Sequence, residues 1–475
     1  MKLKVENTPL FWSTAVMAAL VLLLFFWGLG SIPFLSVNEA RRAVSTREMH
    51  EAGQWLLPYM NGKLYLDKPP LFYWLTLIST QLAGVLCEWS MRLPSALFAT
   101  ICCVAVYQWG SKLAGSQVGL YATIFLAANA GFSLFARRAE IEMSLTGLCF
   151  LSLLAAWQYL FQQGSRRWVL LSYALLGCCL LTKGPVSLLL VTLPILAFAV
   201  WTRSSRAKAY LCDVPAWLIA LAIGSSWYLA VSVQEGWGVW ARIFQKDIVN
   251  KINGGGAEPW YAYLMYLAGD FFPFWLILFV RPRQLWQHIR SRPELMFLLC
   301  CVIVPLIVFS VFSEKHAKYL LPIYPAIALM LACHWARVLA DIQGKWHRLL
   351  KWLPLVVLAG YAVFYSTFEA RVFAHRVQVF PEIRSAFTTY PTQPIYSLDA
   401  PDMRVVYYAG RPVTPVKVEN LQPEQLSGAL LFTRAPLPAS LEKLAPCTLA
   451  RFEPYLHRKH AALLIGLGSS CPGGQ

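Results

Sequence analysis

The sequence predicts an all-α polytopic membrane protein with a small C-terminal α/β domain. Of its 475 residues, 57% are hydrophobic and only 14% are charged. Apolar runs of about 17–22 residues recur along the chain, and runs of that length are needed to cross a hydrocarbon core of roughly 30 Å. A soluble protein would not tolerate so many of them, and a C-terminal stretch without such runs predicts the second domain.

About eleven stretches, within a fold class expected to hold 11–13 transmembrane helices, are predicted to cross the membrane. The first is read as a retained helix, because Phe11–Leu29 is too long for a signal-peptide core and no small-x-small cleavage site follows it. The predicted crossings lie near 10–30, 92–110, 117–136, 144–162, 168–182, 185–201, 214–232, 262–280, 296–313, 319–338 and 352–368.

Charge sets the predicted orientation. The apolar stretch Leu71–Cys87 either crosses the membrane or lies at its surface. If it does not cross and the N-terminus lies inside, most Lys and Arg clusters between later helices become cytoplasmic, as the positive-inside rule requires. We therefore predict a surface-lying or re-entrant helix here and a bacterial inner (plasma) membrane location. The same loops account for the net charge of +17, so nucleic acid is not a predicted partner.

Five polar segments then share the outer, periplasmic face, and their charges are not required by the topology. They are Ser31–Trp74, Phe135–Met143, Leu181–Pro185, Gln234–Tyr261 and Ser313–Tyr319. Charges at a membrane surface are costly unless they are used, so these segments are the candidate functional regions.

Two domains are predicted: a transmembrane domain over 1–368, which includes the periplasmic loop 31–74, and a small periplasmic α/β domain over 369–475. The predicted strands of the second domain are Pro394–Leu398, Arg404–Tyr408, Ala429–Phe432 and Ala461–Ile465. Cys447 and Cys471 fall in this polar region and can form a disulfide in an oxidising periplasm. No cysteine spacing resembles a zinc site.

Carboxylates and basic side chains both occur on the predicted outer face. This mixture suits transfer of a sugar from a lipid-linked phosphate in the bilayer, because a carboxylate can deprotonate the acceptor and cations can stabilise the departing phosphate. The carboxylates are Glu39, Glu48, Asp67, Glu140 and Glu142, and the cations include Arg41, Arg42, Lys63, Lys68, Arg137, Arg138, Lys183, Lys315 and Lys318.

Each motif alone also has a structural explanation. Glu39 and Arg42 are spaced as a helix-surface pair, and Asp67-Lys68-Pro69-Pro70 is typical of a turn before a helix. Glu142 suits the start of a helix, and Lys183 can extend from a helix end towards water. Lys315 and Lys318 can be rim charges. The joint occurrence of these motifs on one predicted face favours a site.

Several motifs resemble the bacterial membrane glycosyltransferases of the C-type (GT-C) fold that are related to protein O-mannosyltransferases, in the branch that contains the lipid A aminoarabinose transferase. The similarity holds over roughly residues 10–340. The matching segments are Asn38-Glu39-Ala40-Arg41-Arg42-Ala43, Asn61-Gly62-Lys63-Leu64-Tyr65, Asp67-Lys68-Pro69-Pro70-Leu71, Arg92-Leu93-Pro94-Ser95-Ala96, Arg137-Arg138-Ala139, Glu142-Met143, Leu181-Thr182-Lys183-Gly184-Pro185 and Lys318-Tyr319-Leu320-Leu321-Pro322.

The resemblance implies transfer of a sugar from undecaprenyl phosphate, with inversion, at the periplasmic face. The acceptor is lipid A, a protein or another glycan. The resemblance assigns Glu39 as the catalytic carboxylate with Asn38 aligning the acceptor, Glu142 to the acceptor site, and Asp67 to a divalent metal, with no other cofactor. The resemblance implies phosphate contacts for Lys68, Lys183 and the cations of the Ser313–Tyr319 loop. The full set of predicted substrate-binding residues is Lys68, Arg42, Arg137, Arg138, Lys183, Lys315, Lys318 and Tyr319.

Two positions depart from the family pattern. Asn38 stands where the family usually has Asp, and Glu142 also replaces an Asp. Because an amide cannot accept the acceptor's proton, either Glu39 takes over that role, or the nucleophile needs less help, or the chain is a catalytically inactive homologue. A transporter or flippase of the lipid-linked sugar is the alternative from another class. Such a protein would place polar residues at mid-membrane depth, whereas the charges here cluster at helix ends.

Overall fold

The computed structural model describes residues 7–162, 164–244, 258–398, 400–417, 428–437, 441, 446–455 and 460–471. The chain divides into two compact units. The first comprises Met1–Leu29, Leu66–Ser79 and Arg92–Ser366, and the second comprises Gly30–Tyr65, Thr80–Met91 and Thr367–Gln475. Residues 245–257 of the predicted outer segment Gln234–Tyr261 lie outside the described residues.

Six of the described helices are long and apolar enough to cross a membrane, and a seventh span is counted if one bent helix pair is included. The six are Glu88–Ala114, Ile141–Gln162, Val214–Glu235, Pro293–Val311, Ala317–Asp341 and Gly344–Val377. They confirm the predicted all-α polytopic class. For the remaining predicted crossings the transmembrane placement stays a prediction.

The other apolar stretches of the sequence form helices that do not meet all the criteria for a span. Helix Arg166–Lys183 has the length of a span but carries three basic residues. The shorter apolar helices are Ser13–Phe26, Leu71–Ala83 and Val186–Thr202. Helix Leu71–Ala83 has 13 residues, a length of about 20 Å, which is less than the hydrocarbon thickness. This length fits the surface-lying placement predicted for it.

Two predicted crossings are interrupted rather than straight. The first breaks into helices Ser116–Ala127 and Ala130–Ala136, which are bent by 72°. Asn129 starts the second helix, because its Oδ1 accepts from the Phe132 N–H at 2.8 Å. The second ends as helix Ala262–Asp270 and resumes as a 3₁₀ helix, Phe274–Phe279. Pro273 lies at this break, where it has no N–H to continue the helix.

The helices of the first unit pack closely where small residues face large ones. Helices Arg166–Lys183 and Val214–Glu235 are neighbours. A Cβ placed on Gly177 would lie 2.7 Å from Ile223 Cβ, and one on Gly224 would lie 2.7 Å from Leu180 Cδ1. Glycine at both positions therefore permits the close approach that is common between membrane helices.

The second unit contains a hairpin whose turn is anchored to a half-buried carboxylate, that of Glu48. Strands β1 (Tyr59–Met60) and β2 (Lys63–Leu64) pair in antiparallel fashion across Asn61-Gly62. Both turn residues have positive φ, 58° and 72°, as a type I′ turn requires. Their N–H groups donate to the two carboxylate oxygens of Glu48 at 2.9 and 3.0 Å. Burial raises the pKa of Glu48, and these two donors oppose the rise.

The rest of the second unit is a five-stranded mixed sheet with helices. The strands are β3 (Ile395–Ser397), β4 (Val413–Pro415), β5 (Leu430–Arg434), β6 (Cys447–Phe452) and β7 (Ala462–Gly466). Their order is β4-β3-β5-β7-β6. Strand β3 pairs in parallel with β4 and β5, and β7 pairs antiparallel with β5 and β6. Three of the four predicted strands are confirmed, and so is the disulfide Cys447–Cys471.

The fourth strand prediction, Arg404–Tyr408, is wrong. These residues lie in helix Met403–Ala409. Asp402 accepts from the Arg404 N–H at the start of the helix, and Gly410, with φ of 73°, ends it. A short apolar run is compatible with either a strand or a helix, and the two capping residues favour the helix here.

The unit boundary differs from the predicted domains. Residues 30–65 and 80–91 group with the C-terminal segment rather than with the helices of the predicted 1–368 domain. The reason lies in helix Val37–Glu51, which packs against helix Met403–Ala409. Arg47 Nη1 donates to the carbonyls of Val406 and Tyr407, each at 3.0 Å.

Candidate functional site

A cavity of about 530 Å³ in the first unit collects charged side chains from four separate segments. Its charged lining consists of Lys68, Glu142, Lys183, Glu314 and Lys318. The rest of the lining is apolar or aromatic and comprises Leu145, Pro185, Val186, Leu189, Leu190, Tyr263, Phe309, Phe312, Tyr319 and Pro322. The cavity thus joins a cationic group of side chains to a largely apolar wall.

Two antiparallel helices bring Glu142 and Lys183 together. Helix Ile141–Trp157 is connected to helix Arg166–Lys183, and Ser152 hydrogen-bonds Ser172 halfway along. The start of the first helix therefore lies beside the end of the second. Lys183 Nζ donates to Glu142 Oε1 at 3.3 Å. A carboxylate in a first turn and an ammonium in a last turn also suit the two helix dipoles.

A third element completes the ion cluster. Lys318 lies in the 3₁₀ helix Ala317–Ile323, and its Nζ is 3.5 Å from both Glu142 Oε1 and Glu140 Oε2. The next residue, Tyr319, places its ring centroid 4.8 Å from Lys183 Nζ, which adds a cation–π contact. Both carboxylates are buried, with Glu142 only 4% exposed.

The charge balance of this cluster favours an anion. Of the charged side chains that line the cavity, Lys68, Lys183 and Lys318 are positive and Glu142 and Glu314 are negative, so one positive charge is left over. Ammonium groups bind phosphate oxygens through charge-assisted hydrogen bonds. The apolar wall can accommodate a hydrocarbon chain attached to that phosphate. The arrangement is therefore able to bind an amphipathic lipid phosphate.

Two predicted substrate-binding residues contact backbone carbonyls. Arg137 Nη1 donates to the carbonyls of Leu24 and Trp27, both at 2.8 Å, near the end of the first apolar helix. Lys315 Nζ donates to the carbonyl of Phe312 at 2.8 Å and to that of Glu258 at 3.3 Å. Their role in substrate binding stays a prediction. Arg138 is buried in the same unit and is not part of the cavity lining.

The predicted catalytic pair lies in the second unit, on helix Val37–Glu51. Ser36 caps this helix, because its Oγ accepts from the Glu39 N–H at 2.9 Å. The Glu39 carboxylate is fully buried and accepts in return from the Leu35 N–H at 3.1 Å. This is a variant of the capping box, in which Leu35, the residue before the cap, supplies the second donor, and its Ser-x-x-Glu signature is readable in the sequence. Asn38 is half-buried on the first turn.

Arg42 also has a partner in the second unit. Its Nη2 donates to the Tyr65 hydroxyl at 3.0 Å, and its guanidinium carbon lies 5.4 Å from the centre of that ring. Arg42 is therefore fixed in one orientation. Its role in substrate binding stays a prediction.

Asp67 is half-buried beside Lys68. Among the residues that the structure describes, no group of three or more His, Cys, Asp or Glu side chains is placed to hold a metal ion. The metal contact of Asp67 stays a prediction.

The cavity also contains residues that the sequence did not single out. Glu314 lines it and pairs with His316 at 3.0 Å. Tyr263, Phe309 and Phe312 form part of the aromatic wall. Glu314 was within the predicted outer segment Ser313–Tyr319, but only the cations of that segment fitted a phosphate site. The aromatic residues lie inside apolar runs and have no distinguishing local pattern.

Removing the charge of Glu142 is expected to destabilise the protein. In the Glu142→Gln variant Lys183 and Lys318 lose a shared counter-ion, and we expect a loss of about 1–3 kcal/mol in unfolding free energy. The measurement is unfolding of the purified protein in mixed detergent micelles. Glu294→Gln is the matched control, because Glu294 is also the second residue of a helix. The double variant Glu142→Gln/Lys183→Met should lose less than the sum of both single losses, and strict additivity would contradict the pairing.

Comparison with known proteins supports the fold. A family model described as dolichyl-phosphate-mannose-protein mannosyltransferase matches residues 67–229, a range that contains Lys68, Glu142 and Lys183. The crystal structure of ArnT from Cupriavidus metallidurans bound to undecaprenyl phosphate superposes with a TM-score of 0.78 at 19% identity, covering 98% of this chain and 99% of that one. The chain has the GT-C fold.

A more distant GT-C structure also superposes on this chain, and curated protein sequences are similar to it. An oligosaccharyltransferase from Archaeoglobus fulgidus superposes with a TM-score of 0.54 at 10% identity, over 85% of this chain and 64% of that one. The undecaprenyl phosphate-alpha-4-amino-4-deoxy-L-arabinose arabinosyl transferase of Pectobacterium atrosepticum is 26% identical over 360 residues, 74% of this chain and 64% of that protein. The enzyme of the same name from Pseudomonas paraeruginosa is 30% identical over 304 residues, which are 62% of this chain and 54% of that protein.

The matched region spans less than two thirds of the length of these curated relatives. The predicted resemblance to the superfamily of protein O-mannosyltransferases and lipid A aminoarabinose transferases is confirmed by this similarity.

Proposed function

We propose that this chain is a membrane glycosyltransferase that transfers a sugar from a polyprenyl-phosphate-linked donor to an acceptor. One observation carries the proposal: three lysines and an apolar wall line the same cavity in a GT-C fold. The names of the curated relatives, which are undecaprenyl phosphate aminoarabinose transferases, support the same class of donor.

The lysines stabilise the leaving group in this proposal. The donor phosphate is a diester with one negative charge, and breaking its bond to the anomeric carbon releases a polyprenyl phosphate monoester with more negative charge. A cluster with excess positive charge stabilises that developing charge more than the ground state, which is the requirement for catalysis. Lys68, Lys183 and Lys318 take this role, and Tyr319 holds Lys183 in place.

Glu39 is the proposed base. It removes the proton from the acceptor group as that group attacks the anomeric carbon, which inverts the configuration there. The role rests on the family resemblance, and Asn38 aligns the acceptor. Glu142 is neutralised by two lysines, so we assign it to organising the cations rather than to proton transfer.

The active site is proposed to face the periplasm of the inner membrane. Charge patterning supports this orientation, because it leaves the basic clusters in the cytoplasmic loops. A cysteine introduced at the exposed Lys63 should react with a membrane-impermeant maleimide added to intact spheroplasts. Reaction only after the spheroplasts are lysed would refute the orientation.

A reconstituted transfer assay tests the proposed function. Purified protein in liposomes receives an undecaprenyl-phosphate-linked radiolabelled sugar together with candidate lipid, peptide or glycan acceptors. We expect labelled product and release of undecaprenyl phosphate. Movement of the intact donor across the bilayer without release would favour the transporter. Donor binding without turnover, with turnover gained in Asn38→Asp, would favour the inactive homologue.

A further inference from the structure

A second polar cavity, of about 440 Å³, lies in the second unit and has no part in the phosphate chemistry proposed above. Its walls are the segment that follows the first apolar helix, the start of helix Glu88–Ala114 and one face of helix Val379–Thr388. The polar side chains that line it are Ser31, Glu88, Arg384, Ser385, Thr388 and Tyr408.

The base of this cavity is rigid. Tyr408 is buried, its hydroxyl donates to Glu88 Oε1 at 2.6 Å, and the Phe34 N–H donates to that hydroxyl at 2.9 Å. Phe380 stacks on the Tyr408 ring with 5.1 Å between the centroids. The Glu88 carboxylate is therefore held in one orientation by Tyr408, whose own position is fixed by Phe34 and Phe380.

A guanidinium lies above this base beside the carboxylate. The Arg384 side chain is 51% exposed, and its Cζ lies 5.0 Å from the centre of the Tyr408 ring. Arg384 Nη2 is 3.8 Å from Glu88 Oε1, which is longer than a hydrogen bond. Within the part of the chain that the structure describes, Arg384 makes no shorter polar contact. Its planar set of donors remains able to bind a ligand.

The charges of the two groups identify the kind of ligand. Glu88 and Arg384 cancel, so the cavity has no net charge to attract a simple anion or cation. A carboxylate acceptor next to a guanidinium donor matches two adjacent hydroxyls, one donating and one accepting. Ser385 and Thr388 add hydroxyls one helical turn apart, and Pro33 and Pro381 offer apolar surfaces to the C–H groups of a ring.

We propose that this cavity binds a sugar ring that carries vicinal hydroxyls. One hydroxyl donates to Glu88, its neighbour accepts from Arg384, and the ring lies against the two prolines. We assign this sugar to the acceptor of the transfer reaction, and that assignment rests on the proposed function. The binding itself does not, because it involves none of the residues of the lysine cavity.

Saturation-transfer NMR on the full-length protein, in nanodiscs free of glycolipid, tests the binding. The probes are methyl α-mannopyranoside, methyl α-glucopyranoside and glycerophosphoethanolamine. We expect saturable transfer to the ring protons of at least one glycoside. Its Kd should rise by at least about tenfold in Arg384→Ala and in Glu88→Gln, which keeps an acceptor for Tyr408. Arg451→Ala, an exposed arginine on strand β6, is the matched control and should leave the Kd unchanged.

The proposal would be overturned by no saturable transfer from either glycoside, or by an unchanged Kd in both cavity variants. Binding of glycerophosphoethanolamine alone would also overturn it, because the cavity would then recognise a zwitterionic lipid headgroup. Arg384→Lys keeps the charge without the planar fork and should give an intermediate Kd. Lys68→Ala should bind the glycosides normally, so loss of sugar transfer and loss of sugar binding are separately measured.

Discussion

Replacing Lys68 by alanine is expected to lower the rate of sugar transfer by at least about tenfold, equivalent to roughly 1.4 kcal/mol in the activation barrier. Lys68 lines the cavity beside the Glu142–Lys183–Lys318 cluster. Without Lys68, two lysine charges remain and are balanced by two carboxylates. The excess positive charge of the cavity is then lost. The cavity would then have little electrostatic preference for a phosphate that gains charge as it leaves.

The Lys68 experiment distinguishes binding from chemistry. Both the Kd for the donor and the single-turnover rate should worsen, with the larger change in the rate, because the negative charge on phosphate increases in the transition state. Lys68→Arg should retain part of the activity. Lys112→Ala, an exposed lysine of the same unit, is the control and should transfer sugar at the wild-type rate. A wild-type rate in Lys68→Ala would remove this residue from the mechanism.

Replacing Glu39 by glutamine is expected to lower turnover by at least about tenfold while leaving the protein folded. Glutamine, like glutamate, can accept from the Leu35 N–H and so preserve the capping box. It cannot accept the acceptor's proton. Glu39→Gln therefore separates the proposed base from the structural role that the carboxylate has in the second unit.

Glu39→Ala provides the matched comparison. It removes both functions, so we expect the same loss of turnover together with a fall of about 1 kcal/mol in unfolding free energy. Unfolding in micelles and transfer in liposomes measure the two effects independently. If Glu39→Gln transferred sugar at the wild-type rate and only Glu39→Ala were destabilised, the residue would be a helix cap and the base would have to be found elsewhere.

Hydropathy allowed the long helices to be predicted, because it is a local property of the chain. The bend at Asn129 and the break at Pro273 depend on single residues inside apolar runs, and the averaged pattern hides them. Strand β4 was missed because its second and third residues, Thr414 and Pro415, are exposed. The helix at Met403–Ala409 was missed because its capping residues lie outside the apolar run.

The ion cluster could be anticipated in part. Glu142, Lys183 and Lys318 lie at helix ends, and their motifs resemble a known family, so their convergence was predictable. The contacts of Arg137 and Lys315 could not be anticipated, because their partners are backbone carbonyls. Every residue has a carbonyl, so the sequence carries no sign of which of them an arginine or lysine will contact.

Binding of the bare lipid phosphate tests the central claim most directly. Purified protein is titrated with undecaprenyl phosphate and, separately, with undecaprenol, which has the same hydrocarbon chain and no charge. We predict that the wild type binds the phosphate at least about tenfold more tightly, and that Lys68→Ala and Lys183→Met each reduce this preference. Equal affinity of the wild type for the phosphate and the alcohol would contradict the assignment of the lysine cavity to the donor phosphate.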